Sequence, residues 1–337
     1  MFRRKVLMLK EGKLSWDALE EIIEGNRGKS REEVILHSGI GEDCSVINFG
    51  DYHCVISTDP ITGAGKNIGK LAVNINCNDI ASSGVEPIGI MVTILAPEGT
   101  KLHEIKEVMK EIGLEAEKLN MEVLGGHTEV TSAVNRMVVS CTVIGKGKAG
   151  KVVASSGAKV GDDIIVTKYM ALEGTAIIAN DYEEKLRNFL SKDEIEEAKS
   201  LINYLSVKKE GLIAGEFGVN SMHDITEGGL LGALWEVATA SRVGFKIFEN
   251  KVPIKKITKK ICAHFNIDPL RLISSGSMLI TTDKGEALIK ELERNGINAA
   301  IIGKITEDKG TLVKDDCDIE VMPPDRDELF SGKLREE

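Results

Sequence analysis

Acidic residues stand at the edges of apolar segments in several parts of the sequence. They are Glu42 and Asp43 in SGIGEDCSVI, Asp59 in CVISTDPITGAG, Asp79 in LAVNINCNDIASSGVEP, Glu129 in VLGGHTEV and Asp224 in SMHDITEGG. A carboxylate beside apolar sequence is costly to remove from water unless it is paired or binds a cation. Several separated carboxylates with small polar neighbours suit Mg²⁺, which takes oxygen ligands. The pattern therefore favours a magnesium site built from distant parts of the chain.

Glycine pairs near these acids suit the phosphates that usually accompany Mg²⁺. They are Gly39 and Gly41, Gly125 and Gly126, and Gly228 and Gly229. Such glycines let backbone N–H groups approach a phosphate closely. The alternative is that each acid is a turn or helix-cap residue, which suits Asp59 before a proline and Asp224 before a predicted helix. Taken one at a time, the acids leave both interpretations open.

The periodicity of apolar residues predicts the elements that carry these acids. In the first half it predicts helices at 14–24, 68–84 and 101–119, and strands at 44–49, 53–58, 88–95, 121–126 and 136–145. In the second half it predicts helices at 171–180, 193–204, 206–216, 228–240 and 284–295, and strands at 163–167, 243–248, 277–282 and 298–303. This mixture predicts an α+β protein of two domains, residues 1–150 and 151–337, ending in a polar tail at 325–337.

Composition excludes several classes of function. The net charge of −10 argues against nucleic acid as the main partner. No apolar run approaches the roughly 20 residues that cross a bilayer, and the N-terminus lacks a secretory signal pattern, so we expect no membrane partner and a cytoplasmic protein. The cysteines form no Cys-x-x-Cys pair. This spacing favours buried free thiols over zinc, iron–sulfur or disulfide sites.

Residues 145–150, GKGKAG, match two phosphate-binding motifs only in part. A dinucleotide-binding glycine motif needs a helix directly after it, and the following Lys-Val-Val then Ser-Gly residues predict none. A P-loop needs Ser or Thr after its lysine, and Val152 stands there. We therefore interpret residues 145–161 as a linker between the domains.

Nearly the whole chain, residues 30–310, resembles the superfamily of aminoimidazole ribonucleotide (AIR) synthetase. This PurM superfamily includes selenophosphate synthetase, thiamine-phosphate kinase and, most similar in pattern, the hydrogenase maturation protein HypE. The matching blocks are GIGEDCSVI (39–47), STDPITGAGKNIGKLAVNINCNDIASSGVEPIG (57–89), LGGHTEV (124–130), GDDIIVT (161–167), HDITEGGLLGALWEVA (223–238) and SSGSMLIT (274–281). The long second block is the most specific of them.

The resemblance implies a PurM-like α+β fold, ATP and Mg²⁺ as cofactors, and a homodimer whose N-terminal halves close a shared β-barrel. It implies that Mg²⁺ and ATP phosphates are bound by Asp43, Asp59, Asp79 and Asp224. The other nucleotide-binding positions that it implies are Asn78, Gly125, Gly126, Thr128, Gly228 and Gly229. The candidate catalytic residues are His127, Glu129 and Asp224, and a role for His223 is left open.

Parts of the family patterns are absent from this sequence. HypE proteins end in a cysteine, whereas this sequence ends Lys-Leu-Arg-Glu-Glu, and their Asn-Glu-Gly block is Ser274-Ser275-Gly276 here. The resemblance therefore implies a divergent Mg-ATP-dependent enzyme, of ligase or phosphotransferase type, that phosphorylates or dehydrates a small or protein-borne nucleophile. The alternative is an ATP-binding maturation or regulatory partner with weak or no turnover.

Overall fold

The computed structural model describes residues 14, 16–23, 25–37, 39, 41–62, 66–323 and 326–334. The helix expected at 14–24 is found as α1, Trp16–Ile23. Residues 15 and 24, and residues 63–65 of the block that follows Asp59, lie outside the described part of the chain.

The first half of the chain forms a six-stranded sheet in the order β1-β2-β3-β6-β4-β5. Its strands are β1 (Val34–Leu36), β2 (Ser45–Asn48), β3 (Tyr52–Ile61), β4 (Glu86–Ala96), β5 (Glu122–Val130) and β6 (Val138–Lys148). Strands β4 and β5 pair in parallel, and the other neighbours pair antiparallel. Helix α2 (Ile68–Ser82) packs on β3 and β6, and α3 (Leu102–Lys118) packs on α2.

The second half forms a seven-stranded sheet in the order β13-β12-β9-β11-β7-β10-β8. Its strands are β7 (Asp163–Thr167), β8 (Ser221–Asp224), β9 (Gly244–Phe248), β10 (Met278–Thr282), β11 (Ala299–Thr306), β12 (Thr311–Lys314) and β13 (Cys317–Glu320). Its helices are α4 (Leu172–Asp181), α5 (Glu183–Leu186), α6 (Lys192–Ser200), α7 (Lys208–Phe217), α8 (Gly229–Ser241), α9 (Lys256–His264) and α10 (Gly285–Arg294). Short 3₁₀ turns lie at Ser155–Gly157, Leu201–Tyr204, Glu249–Lys251 and Glu328–Phe330.

Helix α2 is buried on nearly all sides because the two halves enclose it. One face lies on the first sheet, and the other contacts α7 and β8 of the second half. This explains its sequence of Ala, Val, Ile and small polar residues, which lacks the single apolar stripe of a surface helix. The amide of Asn78 joins the halves: its Nδ2 donates to the carbonyl of Leu205 at 2.8 Å, and its Oδ1 accepts from the N–H of Val207 at 2.9 Å.

The segment GKGKAG is not wholly a linker, because β6 runs on to Lys148. Buried and exposed residues alternate to the end of this strand. A Cβ atom added to Gly145 would lie 2.4 Å from the side chain of Ile80, so the glycine is needed where α2 packs against the strand. The lysines between the glycines face outward. The glycines and lysines that indicated a linker are therefore explained by the strand: its glycines pack closely on one face, and its lysines contact water on the other.

Other differences from the predicted elements involve short segments. The predictions omitted β1, α5, β8, α9, β12 and β13, and the helix expected at 193–204 is split into α6 and the turn Leu201–Tyr204. The prediction of a polar tail at 325–337 is wrong for residues 326–334, because Asp327 and Leu334 are buried there.

None of the helices in the described part of the chain has the length and apolar character needed to cross a membrane.

Candidate functional site

A cavity of about 760 Å³ is lined by residues of both halves of the chain. One part of its lining is acidic and includes Asp43, Asp59 and Asp79, with His223 beside them. Asp43 precedes β2, Asp59 lies on β3, Asp79 on α2 and Asp224 at the end of β8. Of the candidates named from the sequence, the structure brings these four carboxylates together, and we call them the acidic cluster.

The acidic cluster is strained by its own charge. Burial raises the pKa of Asp79 well above its usual range, and the nearby carboxylates of Asp224, Asp59 and Asp43 raise it further. Burial and the charges of Asp43 and Asp59 likewise raise the pKa of Asp224, although His223 opposes them. The hydroxyl of Ser57 donates to Asp79 Oδ2 at 2.5 Å, whereas Asp224 Oδ2 is buried and has no hydrogen-bond partner among the described residues.

These residues fit a divalent cation bound through oxygen. One ligand atom each from Asp43, His223 and Asp224 lies within 4.8 Å of the others. An unpartnered buried carboxylate oxygen among further carboxylates is the arrangement that a hard cation such as Mg²⁺ would satisfy. The carboxylates suit the ion better than the imidazole, because both ring nitrogens of His223 already have partners.

His223 is held between two acids. Its Nδ1 lies 2.6 Å from Asp43 Oδ2, and its Nε2 lies 2.6 Å from Glu236 Oε2 on α8. Burial alone would lower the pKa of His223, but Asp43 and Glu236 raise it well above its usual range. The two acids therefore favour the charged imidazole, and its contact with Asp43 fixes the orientation of that carboxylate. Glu236 was not among the sequence candidates, although a lone acid in the apolar helix GALWEVA is a signal that could have found it.

Two other polar residues of the matching blocks support the site from behind. The carboxylate of Glu42 accepts the N–H groups of Ser155 and Ser156 at 3.1 and 2.9 Å, which fastens the chain where it enters the second half. Asn76 Oδ1 accepts the N–H of Asp59 at 2.7 Å and so holds β3 against α2. The candidate Asn78 is buried and makes the bonds to Leu205 and Val207 described above, which are structural.

The candidates on β5 lie apart from the acidic cluster within one chain. Gly125, His127, Thr128 and Glu129 are exposed on this edge strand, where His127 Nε2 lies 3.5 Å from Glu129 Oε2. Gly126 has a packing reason for its type: its φ is +150°, and a Cβ atom there would lie 1.7 Å from the carbonyl oxygen of Val92. None of these residues lines the cavity.

Gly228, at the start of α8, is bound by the C-terminal segment. The N–H of Gly228 donates to Asp327 Oδ2 at 2.7 Å, and the N–H of Leu329 donates to the other oxygen of that carboxylate at 2.8 Å. Burial raises the pKa of Asp327 to about 7. Leu329 and Phe330 then line the cavity. Residues 326–334, which we call the C-terminal strap, therefore occupy the place where the sequence predicted a phosphate or substrate.

Comparison with known families and proteins covers both halves of the chain. Residues 41–146 match the N-terminal domain of AIR synthase related proteins, and residues 159–316 match their C-terminal domain. A putative hydrogenase expression/formation protein of Methanocaldococcus jannaschii is 30% identical over 88% of this chain and 90% of its own length. Carbamoyl dehydratase HypE of Rhizobium leguminosarum is 26% identical over 88% and 85%. Thiamine-monophosphate kinase of Pyrococcus horikoshii is 26% identical over 87% and 91%.

Solved structures of the same group have the same fold. A HypE–HypF complex superposes with a TM-score of 0.75 at 22% identity, covering 91% of this chain and 100% of the other. HypE in complex with ATP gives 0.70 at 20% identity, covering 82% and 87%. AaThiL complexed with AMPPCP and TMP gives 0.70 at 17% identity, covering 90% and 93%. The predicted PurM-like α+β fold is confirmed, and the chain belongs to the AIR synthase related protein family.

Proposed function

We propose that the protein is an Mg-ATP-dependent enzyme that phosphorylates, and in one version dehydrates, a small or protein-borne acceptor. The observation that carries this proposal is the buried Asp224 Oδ2 within the acidic cluster, which no residue in the described part of the chain pairs by a hydrogen bond. Relatives whose names describe a dehydratase and a kinase support an ATP-using activity, as do relatives solved with ATP and with AMPPCP.

In this proposal the acidic cluster holds Mg²⁺, which would supply positive charge for the phosphates and polarise the transferred group. Asp43, Asp59, Asp79 and Asp224 are the residues that would hold it. His223 keeps the carboxylate of Asp43 in one orientation through the 2.6 Å contact, and Ser57 does the same for Asp79. The cavity around them is also lined by apolar side chains, which include Leu71 and Ile75.

Nucleotide binding is expected to depend on Mg²⁺. Without a cation, the acidic cluster would repel a triphosphate, so we expect AMPPCP to bind at least about tenfold more tightly in Mg²⁺ than in EDTA. Calorimetry in the two buffers measures this, and a third titration in EDTA with matched ionic strength controls for salt. Equal affinities in Mg²⁺ and in EDTA would remove both the metal assignment and the role given to the acidic cluster.

A second candidate function is an ATP-binding maturation or regulatory partner with weak or no turnover. The observation that favours it is that one structure of the same fold is a complex of HypE with another protein, HypF. Release of ADP, measured with and without a panel of acceptors, distinguishes the two functions. Binding of Mg-AMPPCP without ADP release under any condition would favour the partner protein.

We also propose that the chain acts as a homodimer built through the first sheet, with domains divided near residue 150. Ile88, Met91, Leu124 and Val130 on β4 and β5 are each about half exposed, and β5 is an edge strand. Apolar side chains next to an open sheet edge suit burial against a second copy, as in the shared barrel that the family resemblance implies. The candidates His127, Thr128 and Glu129 on β5 would then lie at the interface.

Sedimentation at micromolar concentration is expected to show a dimer that Met91→Glu dissociates, because a charge would be buried in the interface. Ile319→Glu, at a similarly exposed apolar residue on β13, is the control and should leave the dimer intact. A wild-type protein that sediments as a stable monomer would contradict the dimer.

A further inference from the structure

A further carboxyl group lines the cavity outside the acidic cluster. Glu173, in the first turn of α4, is 3% exposed and belongs to the same lining as Asp43, Asp59 and Asp79. Its Oε2 accepts the N–H of Ser275 at 3.2 Å, and the hydroxyl of Ser275 also forms a hydrogen bond with this carboxyl group. Glu173 therefore faces the space in which the proposed reaction would take place.

The start of α4 is fastened to the segment that precedes β10. The N–H of Ala171 donates to the hydroxyl of Ser274 at 2.7 Å. A Cβ atom at Gly174 would lie 2.5 Å from the side chain of Leu272, so a glycine is needed where the helix meets this segment. Glu173 stands between these two contacts in the chain and is therefore held on a fixed support, as a group that takes part in a reaction must be.

The position of this carboxyl group coincides with a gap in the family pattern. The block that resembles Asn-Glu-Gly of HypE proteins has Ser275 in place of its acid. Both the N–H and the hydroxyl of Ser275 bind Glu173, so α4 brings a carboxyl group to the place that the block leaves without one. An acid that is absent from this block in the sequence is thus supplied in space by another element.

The surroundings of Glu173 suit proton transfer near neutral pH. Burial raises the pKa of Glu173 to about 7, the hydrogen bonds from Ser275 lower it, and the charge of Glu227 raises it. Glu227, in the turn before α8, has an interaction partner of its own and also acts on Asp327 of the strap. The other ionisable residues of the lining are Glu42, Arg136, His223, Glu236 and three members of the acidic cluster. A carboxyl group whose pKa lies near the working pH can accept a proton and release it again.

We propose that Glu173 is a catalytic residue that accepts the proton of the phosphate acceptor. The inference rests on the proposed function and adds a residue to it. As the oxygen or nitrogen of the acceptor bonds to the transferred phosphorus, the bond from that phosphorus to its bridging oxygen breaks, and the electron pair stays on the leaving diphosphate. The proton of the attacking O–H or N–H passes to the carboxylate of Glu173, which later returns it to water. The hydrogen bonds from Ser275 hold the carboxylate in one orientation for this transfer.

The first measurement follows Glu173 without nucleotide. In protein labelled with glutamate that carries ¹³C in its side-chain carboxyl group, the signal of Glu173 is identified by its loss in Glu173→Gln and in Glu173→Asp. We expect this signal to titrate with a midpoint of about 7. Exposed glutamates in the same spectra should titrate at about 4.3.

The second measurement is ADP release from Mg-ATP with water as the acceptor. The wild-type kcat/KM should rise about tenfold per pH unit below the pKa of Glu173 and level off above it, because only the carboxylate can take the proton. Glu173→Gln should lower the plateau by about 100-fold or more and remove this rise, with AMPPCP affinity in Mg²⁺ changed by less than about twofold. Glu173→Asp keeps a carboxyl group and should retain the rise at a lower rate. Asp181→Asn, on the same helix outside the cavity lining, is the control and should change neither quantity.

Several results would overturn the inference. They are wild-type turnover or an unchanged pH rise in Glu173→Gln, loss of AMPPCP binding in that variant, and a Glu173 signal that titrates like the exposed glutamates. A wild type that binds Mg-AMPPCP but releases no ADP at any pH would also overturn it, because a carboxylate placed to deprotonate an acceptor would act on water too. If Glu173→Gln does not fold, the presence or absence of the pH rise in Glu173→Asp decides. A wild type that binds no AMPPCP in Mg²⁺ would instead reject the proposed function, so the two failures are distinguishable.

Discussion

Replacing Asp224 with asparagine is expected to abolish ATP turnover and to stabilise the metal-free protein. The change keeps the shape of the side chain but removes one buried charge from the acidic cluster. If Asp224 holds the cation, ADP release should fall by about 100-fold or more, the usual effect of removing a group that stabilises transferred charge. In EDTA the same change relieves the repulsion between residue 224 and the carboxylate of Asp43.

The stability gain should depend on pH in a defined direction. Because the folded protein raises the pKa of Asp224, this carboxyl favours folding when protonated and opposes it as pH rises toward and through the folded pKa. Urea unfolding in EDTA should therefore show little difference between wild type and Asp224→Asn at acid pH. At alkaline pH the variant should gain on the order of 1–3 kcal/mol.

Asp283→Asn, at an exposed acid after β10, is the matched control and should alter neither ADP release nor stability. If Asp224→Asn kept wild-type turnover, Asp224 would have a structural role only and would not take part in the reaction. A variant that loses turnover but is less stable in EDTA at every pH would show that the charge is not strained in the free protein.

The second large effect is expected at the C-terminal strap. Leu334→Ala should lower the free energy of unfolding by about 2–5 kcal/mol, the range for a buried leucine truncated to alanine. Leu334 is 1% exposed and packs with residues of α4, α5, α6 and α9, and its carbonyl accepts from Lys185 Nζ at 3.2 Å. Thermal and urea unfolding measure the loss, and the exposed Ser331→Ala serves as control.

The same variant tests the connection between the strap and the cavity. Leu329 and Phe330 line the cavity from this segment, so loosening its far end should also weaken AMPPCP binding. If Leu334→Ala and Ser331→Ala have the same free energy of unfolding and the same affinity for AMPPCP, the strap contributes little to stability or binding. It would then be the polar surface tail that the sequence predicted.

The acidic cluster could be predicted from the sequence because each of its members sits in a local pattern. Asp79 lies in a helix whose small and apolar residues signal burial, and Asp43, Asp59 and Asp224 each adjoin an apolar strand. A charged residue beside buried apolar sequence is costly to bury unless it has a partner or binds a cation, whatever the fold of the chain. That the four carboxylates lie close together depends on the order of the strands and helices in space. The family resemblance implied this order, whereas periodicity alone did not.

Residues whose partners lie far along the chain could not be predicted in the same way. Glu173 and Ser275 meet across 102 positions, and neither stands out in its own segment. The strap was predicted to be a polar tail because most of its residues are polar or charged. Its buried or half-buried Leu329 and Leu334 are too far apart to form a periodic apolar pattern. The β5 residues matched a family block, yet their strand pairs with β4 at the edge of the sheet. Within a single chain, none of these β5 candidates lines the cavity.

The amide of Asn78 has a consequence for motion. A hinge that separated the two halves would have to break its buried bonds to Leu205 and Val207, together with the bond from Lys208 Nζ to the carbonyl of Leu119 at 2.6 Å. Breaking buried hydrogen bonds without replacement is costly, so clamshell opening of the cavity is disfavoured. Any widening of the cavity should therefore come from displacement of peripheral segments such as the strap, while the two sheets keep their relative positions.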